Sequence, residues 1–256
     1  MVSFAVSKTA DGGSNPSERA IFLFRLTFFK QKNFANSCFL ATFAAKNRNS
    51  MNNNKVYMGH MYVFRDKSAN GVFIEDVNGM LWKAEDWDGS VKSNAIVVIA
   101  DESKFRIAIG KQGTTSIGGN NCPFESRMSG SKFLTSFAKA DSNGSCHTAS
   151  ILKLLPNTSY AAGYCNMFTF PDGKTHGYLP SLGQLTIAYQ HKGEINAALS
   201  KCGGIPMNDD LYWSSTFWGV DCANFRLFWA INWEEGSIGA DGSCFDHYVR
   251  PFADFN

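Results

Sequence analysis

Leu211-Tyr-Trp-Ser-Ser-Thr216 and Tyr248-Val-Arg-Pro-Phe252 bracket a stretch of mixed polar, aromatic and small residues, and inside it Phe228-Trp-Ala-Ile-Asn-Trp233 alternates. Side chains along a strand have period two, so Trp229, Ile231 and Trp233 share one face and Phe228, Ala230 and Asn232 the other. The alternation predicts a strand whose tryptophan face builds the core and whose second face meets a ligand. A regular frame around an irregular filling is the pattern of a binding surface. On that reading, alanine at Phe225, Phe228, Asn232 or Asp246 costs less than about 0.5 kcal/mol. Trp229→Ala or Trp233→Ala costs about 3 to 5 kcal/mol through the cavity left behind.

Outward from this strand the chain reads as loop-rich α+β. Val56-Tyr-Met-Gly-His-Met-Tyr-Val-Phe64, Gly71-Val-Phe-Ile74 and Ala95-Ile-Val-Val-Ile-Ala100 are short β-branched or aromatic runs bounded by Gly, Asn and Asp, which predicts strands joined by turns. Helical spacing appears over residues 133–140 and more clearly over 181–199, where Leu182, Leu185, Ile187, Tyr189, Ile195 and Leu199 recur and Gly193 is expected to break the helix in two. Asp86-Trp-Asp-Gly89 and Asn78-Gly79 look like fragments of calcium loops, but the EF-hand spacing is missing and they read as turns.

The bracket segments and six others resemble the variable proteins of diversity-generating retroelements. The matching segments are Gly71-Val-Phe-Ile74, Asn78-Gly-Met-Leu-Trp82, Asp86-Trp-Asp-Gly89, Ala161-Ala-Gly-Tyr164, Phe170-Pro-Asp-Gly173, Gly177-Tyr-Leu-Pro-Ser-Leu-Gly183, Tyr212-Trp-Ser-Ser-Thr216 and Tyr248-Val-Arg-Pro-Phe252. Singly each is weak; in this order, over residues 56–256, they are fairly specific. The resemblance implies a C-type-lectin fold, related to that of formylglycine-generating enzymes, with two helices packed on a twisted antiparallel sheet. It also implies that an error-prone reverse transcriptase rewrites the end of the gene at adenines, so that residues 217–250 vary while the scaffold stays fixed. The residues it points to as ligand contacts are Asp221, Cys222, Asn224, Phe225, Arg226, Phe228, Ala230, Asn232, Glu234, Ser237, Asp241, Ser243, Phe245, Asp246 and His247. The residue types give a modest check. Mutating both adenines of an AAY asparagine codon cannot reach Trp, Lys, Glu, Gln or Met, and between Val220 and His247 only Trp229, Trp233, Glu234 and Glu235 fall outside the reachable set.

The partner implied is a variable protein or glycan surface receptor, met by a phage particle or a bacterial cell surface, with no cofactor and no metal. Binding is then expected to be insensitive to EDTA, because the Glu-Pro-Asn, Gln-Pro-Asp and Trp-Asn-Asp triplets of calcium-dependent lectins are absent. Self-association stays open. Two other readings compete: a metal- or copper-dependent enzyme of the formylglycine-generating type, and a structural tail or adhesin component with a fixed partner.

The enzyme reading lacks a constellation. The seven cysteines, at 38, 122, 146, 165, 202, 222 and 244, form no Cys-x-x-Cys pair and no Cys/His zinc spacing. Formylglycine-generating enzymes use a C-terminal cysteine pair with copper; Cys222 and Cys244 both lie in the stretch where variation would produce cysteine by chance. His60, His147, His176, His191 and His247 are scattered, none in a His-Glu-x-x-His or nucleophile-elbow context. Of these only His247, just before the closing bracket, reads as a ligand contact.

The chain divides into an N-terminal extension, residues 1–50, and a main domain, residues 51–256. At 256 residues and 44% hydrophobic content it can bury a sizeable core. Its net charge of +2 hides an asymmetry: residues 1–50 hold seven Lys/Arg against two Asp/Glu, so the remainder is negative and carries no nucleic-acid footprint. Ile21-Phe-Leu-Phe-Arg-Leu-Thr-Phe-Phe29 and Phe34-Ala-Asn-Ser-Cys-Phe-Leu-Ala-Thr-Phe-Ala-Ala45 are apolar but split by Lys30 and Lys32, too short for the roughly 20 residues of a membrane span. Met51-Asn-Asn-Asn-Lys55 reads as a true start, which makes residues 1–50 an upstream translation artefact and no part of the native protein; a membrane-associating extension is the other reading. A chain beginning there is expected to fold and bind like the full one; a far lower melting temperature or insolubility would place residues 1–50 in the core.

Overall fold

The computed structural model describes residues 69–119 and 135–255. The N-terminal extension, the Met51 boundary, the strand expected over residues 56–64, and His60, Cys38 and Cys122 lie outside the described residues.

Two five-stranded sheets carry the architecture. The first contains β1 (Gly71–Asp76), β2 (Leu81–Trp82), β3 (Ser93–Ala100) and β4 (Ser103–Ile107), closed by β10 (Phe252–Asp254) from the C-terminus, in the order β10-β4-β3-β1-β2 and antiparallel throughout. Ala95-Ile-Val-Val-Ile-Ala100 is apolar without alternation because both of its faces are covered: Ile96 and Val98 enter the main core with Ile74, Phe105 and Phe252, while Val97 and Ile99 pack with Phe73 and Leu81. Phe105 and Phe252 stack at 5.1 Å across the β4/β10 pair. The turns expected after β1 and near residue 88 are present: Asp76 Oδ1 accepts from the Asn78 and Met80 N–H groups, and Asp88 Oδ1 from that of Ser90.

The second sheet holds β5 (Gly113–Thr115), β6 (Leu211–Val220), β7 (Arg226–Asn232), β8 (Ile238–Gly242) and β9 (His247–Val249) in the order β5-β9-β6-β7-β8. Pairing is antiparallel except between β6 and β9. Five helices are described: α1 (Thr135–Lys139), α2 (Gly144–Leu154), α3 (Ala161–Asn166), α4 (Leu182–Gln190) and α5 (Lys192–Lys201). The fold class is α+β, as the sequence implies, with more helices than the two expected. Among the described residues no helix is long and apolar enough to cross a membrane.

The start of α4 is written locally. The Ser181 hydroxyl accepts from the Gln184 N–H, and the Gln184 side chain returns a bond to the Ser181 N–H, a reciprocal capping box. The break expected at Gly193 falls at His191 instead, and Gly193 lies inside α5. Tertiary contacts move it. Lys192, the first residue of α5, donates through Nζ to the Trp233 carbonyl and to Asp209, and the redirected helix places Ile195, Ala198 and Leu199 in the same core as Leu182, Leu185 and Ala188.

These helices also correct the reading of β7. Trp229, Ile231 and Trp233 do pack with α4 and α5. The opposite face, however, is not open: Phe228 and Ala230 are buried with Trp213, Phe217 and Val249 under Ile151 of α2 and Ala161, Ala162 and Cys165 of α3. Helices cover both sides of the sheet, so alternation here separates two cores rather than core from solvent. Asn232, at the strand end, stays half-buried.

The indole N–H groups of Trp229 and Trp233 are buried without hydrogen-bond partners among the described residues. An unpaired buried donor costs about 1 to 3 kcal/mol. Trp233→Phe keeps a ring near Tyr189 and Tyr212, at 5.6 and 5.5 Å from the indole, and removes that donor. It is therefore expected to melt within a few degrees of the wild type, far above Trp233→Ala; equal loss in the two variants would show that the indole N–H is engaged.

Candidate functional site

Because β7 runs antiparallel to both β6 and β8, the β6–β7 turn and the loop following β8 emerge at the same end of the second sheet. Leu227 pairs with Gly242, and the Ser243 N–H donates to the Arg226 carbonyl at 2.9 Å, which stitches the two connections together. Asp221, Cys222, Asn224, Phe225, Arg226, Asp241 and Phe245 thereby lie at one tip, with Ser243 buried between the two connections and Asp246 and His247 leading from it into β9.

The β6–β7 turn is braced from inside. Asp221 Oδ1 accepts from the Ala223 and Phe225 N–H groups at 2.9 and 2.8 Å, its own N–H donates to the Phe225 carbonyl, and Asn224 takes φ +67, a conformation asparagine tolerates better than most residues. Arg226 Nη1 donates to the Asn224 carbonyl at 2.8 Å. Cys222, Asn224 and Phe225 project outward from this turn and are exposed. Asp221→Ala removes two local acceptor contacts worth about 1 kcal/mol each. Its expected signature is faster hydrogen exchange at Ala223 and Phe225, with the amides of β7 unchanged.

The second connection is anchored on the core beneath α2 and α3. Trp213 Nε1 donates to the Phe245 carbonyl at 3.2 Å, and the Trp213 ring lies 4.3 Å from that of His247. His247 Nε2 sits 2.9 Å from Asp241 Oδ2 and Nδ1 3.0 Å from the Asp246 carbonyl. Both partners are acceptors, and a neutral imidazole donates to one of them at a time. Phe245 and Asp246 are exposed, Asp241 and His247 half-buried, and Cys244 is half-buried behind Ser243.

Ser243 itself is buried. Its carbonyl accepts from Ile117 and Gly118, and its hydroxyl donates to the Gly119 carbonyl. Residues 116–119, following β5, therefore flank the tip, which the sequence alone did not indicate; the only local signal is the Gly118-Gly119 pair.

Comparison with protein families, with characterised proteins and with solved structures gave no significant match.

The remaining candidates do not join this surface. Phe228, Ala230 and Ser243 are buried, which corrects the expectation that the first two face outward. Asn232, Glu234 and Ser237 form the β7–β8 turn at the opposite end of the sheet, roughly 20 Å away along seven residues of strand. There Asn232 Oδ1 accepts from the Glu234 N–H at 2.8 Å, and Gly236 lies so close under Tyr189 that a Cβ would meet its ring at 2.3 Å. This end is pinned to α4. Among the described residues no group of three His, Cys, Asp or Glu is placed to hold a metal ion.

Proposed function

We propose that this chain is a ligand- or receptor-binding protein on a C-type-lectin fold, whose C-terminal segment, about residues 217–250, is diversified by a retroelement to recognise changing targets. The observation that carries the reading is the tip: Cys222, Asn224, Phe225, Phe245 and Asp246 are exposed there, on connections held by main-chain hydrogen bonds and by Trp213. The intervening residues Phe228 to Ile231 are locked in the two cores. Such an arrangement lets tip residues change while the scaffold keeps its stability. Phenylalanine and short polar side chains bury area at low entropy cost and offer adaptable hydrogen bonds, as antibody paratopes do. The closure of the first sheet by the C-terminal strand, with helices packed on both faces of the second, supports the C-type-lectin assignment.

The target in this reading is a protein or glycan receptor encountered by a phage particle or a bacterial surface. Two experiments test it. Sequencing the locus in related isolates should show adenine-linked variation clustered at codons for tip residues and sparing those for Trp213, Phe228, Trp229 and Ile231. Grafting residues 219–247 of a natural variant onto this scaffold should transfer its specificity, with binding insensitive to EDTA. Specificity that stays with the scaffold, or variation spread evenly over the gene, would overturn the proposal.

A further inference from the structure

The tip carries an apolar centre within an acidic rim. Leu227 and Trp229 share one face of β7, and Gly242 and Ala240 lie directly opposite them on β8. A Cβ placed on Gly242 would come within 3.1 Å of the Phe245 ring, so that ring folds over the same face. Trp218 and Ala240, both half-buried, pack on the adjoining core and continue the apolar floor. Phe245 is 55% exposed and Phe225, on the neighbouring turn, 46%. Two phenylalanines held open on braced loops next to an apolar floor form a patch of the kind that marks an interaction site.

Asp221 and Asp246 stand beside it, against the guanidinium of Arg226, while Asp241 lies on the opposite face of β8, its Oδ2 2.9 Å from His247 Nε2. Asp246 is exposed. Asp221 keeps one carboxylate oxygen on two local N–H groups, so its charge is fixed in position at the rim.

We infer that the partner is a protein surface presenting an apolar recess ringed by lysine or arginine, which receives Phe225 and Phe245 at its centre and pairs with the aspartates at its edge. This rests on the recognition-surface reading above and adds the chemistry of the occupant. Phenylalanine anchors in a desolvated centre carry most of the affinity, while rim charges set association rate and salt dependence. The scaffold presents both rings already positioned, which lowers the ordering cost of binding. Gly242 favours this placing, since a Cβ there would sit 3.1 Å from the Phe245 ring, which would have to shift slightly to make room.

The test uses the full-length protein and a displayed library of random peptides as the probe. Selected peptides are synthesised and their affinity measured by fluorescence anisotropy against wild type, Phe225→Ala, Phe245→Ala, Asp246→Asn and Phe137→Ala, the last a still more exposed ring on α1. Enriched peptides are expected to combine aromatic or aliphatic residues with lysine or arginine. Each tip phenylalanine should be worth about tenfold or more in affinity, Phe137→Ala should change nothing, and Asp246→Asn should weaken binding severalfold while flattening its salt dependence. Because both tip rings are exposed, melting temperatures should stay at the wild-type value, so lost affinity cannot be lost folding. Tip-dependent peptides without an excess of basic residues would overturn the partner chemistry while leaving a recognition surface in place. Peptides equally sensitive to Phe137→Ala, or the absence of any tip-dependent peptide, would overturn the apolar centre. A concentration-dependent dimer dissolved by Phe245→Ala would assign the patch to a second copy of the chain instead. Diversification is read separately, at the locus.

Discussion

Phe228→Ala is expected to lower the unfolding free energy by about 3 to 5 kcal/mol, while Phe225→Ala and Phe245→Ala stay within about 0.5 kcal/mol of wild type. All three residues are phenylalanines of the C-terminal stretch; only the surroundings differ. Phe228 is buried, its ring 5.2 Å from that of Phe217, in a cluster with Trp213, Ile151 of α2 and Cys165 of α3. Truncation there opens a cavity that two helices and a sheet would have to collapse together to fill. Urea unfolding at constant m-value measures the difference. A Phe228→Ala protein as stable as Phe245→Ala would mean that α2 and α3 do not seat on this face, and the open-face reading of β7 would return.

The second large effect is expected at Arg250. Its side chain is buried, and among the described residues its hydrogen bonds go to no carboxylate: Nη1 donates to the Ala108 carbonyl, Nη2 to the Ile205 carbonyl and Gln112 Oε1, and Nε to Gln112 Oε1 again. Burial pushes the guanidinium down to about 10, against the opposing pull of Tyr212 and Tyr164, so it stays charged at neutral pH. The group ties the C-terminal strand to the connection between β4 and β5 and to the one between α5 and β6. Gln112 Oε1 also accepts from the Tyr212 hydroxyl. Arg250→Met keeps the apolar stem but strands these acceptors, each at about 1 to 3 kcal/mol, and relieves the cost of burying a charge. A net loss of about 3 kcal/mol or more is expected, and Arg250→Lys should recover only part of it, since one ammonium cannot reproduce the planar fork. Loss of less than about 1 kcal/mol in Arg250→Met would show that the desolvation cost cancels the bonds.

Several features of the fold were legible locally. The β-branched run at residues 95–100 became β3, and Gly71-Val-Phe-Ile74 became most of β1. The spacing of Leu182, Leu185 and Ile187 marked α4 from Ser181 onward, and the structure adds the capping box between Ser181 and Gln184. Helix α2 gave little warning: its sequence, Gly-Ser-Cys-His-Thr-Ala-Ser-Ile-Leu-Lys-Leu, is rich in weak helix formers and buries only Gly144, Thr148 and Ile151. It is helical because Thr148 bonds both main-chain groups of Leu179 and Ile151 fills the core beneath Phe228. Propensity alone does not supply that stability.

The sequence by itself determined the alternation of residues 228–233, the α+β class and the placing of the irregular segment between two aromatic brackets, since these depend on side-chain period and turn chemistry within a few residues. Only the tertiary structure decided that the face opposite Trp229 is a second core, that the helix breaks at His191, and that the site gathers at one end of the sheet. Those outcomes depend on what lies across from a residue. Strand order and the helices packed on each face bring together positions as distant as Cys165 and Phe228, or Gly119 and Ser243, and no local pattern encodes such a meeting.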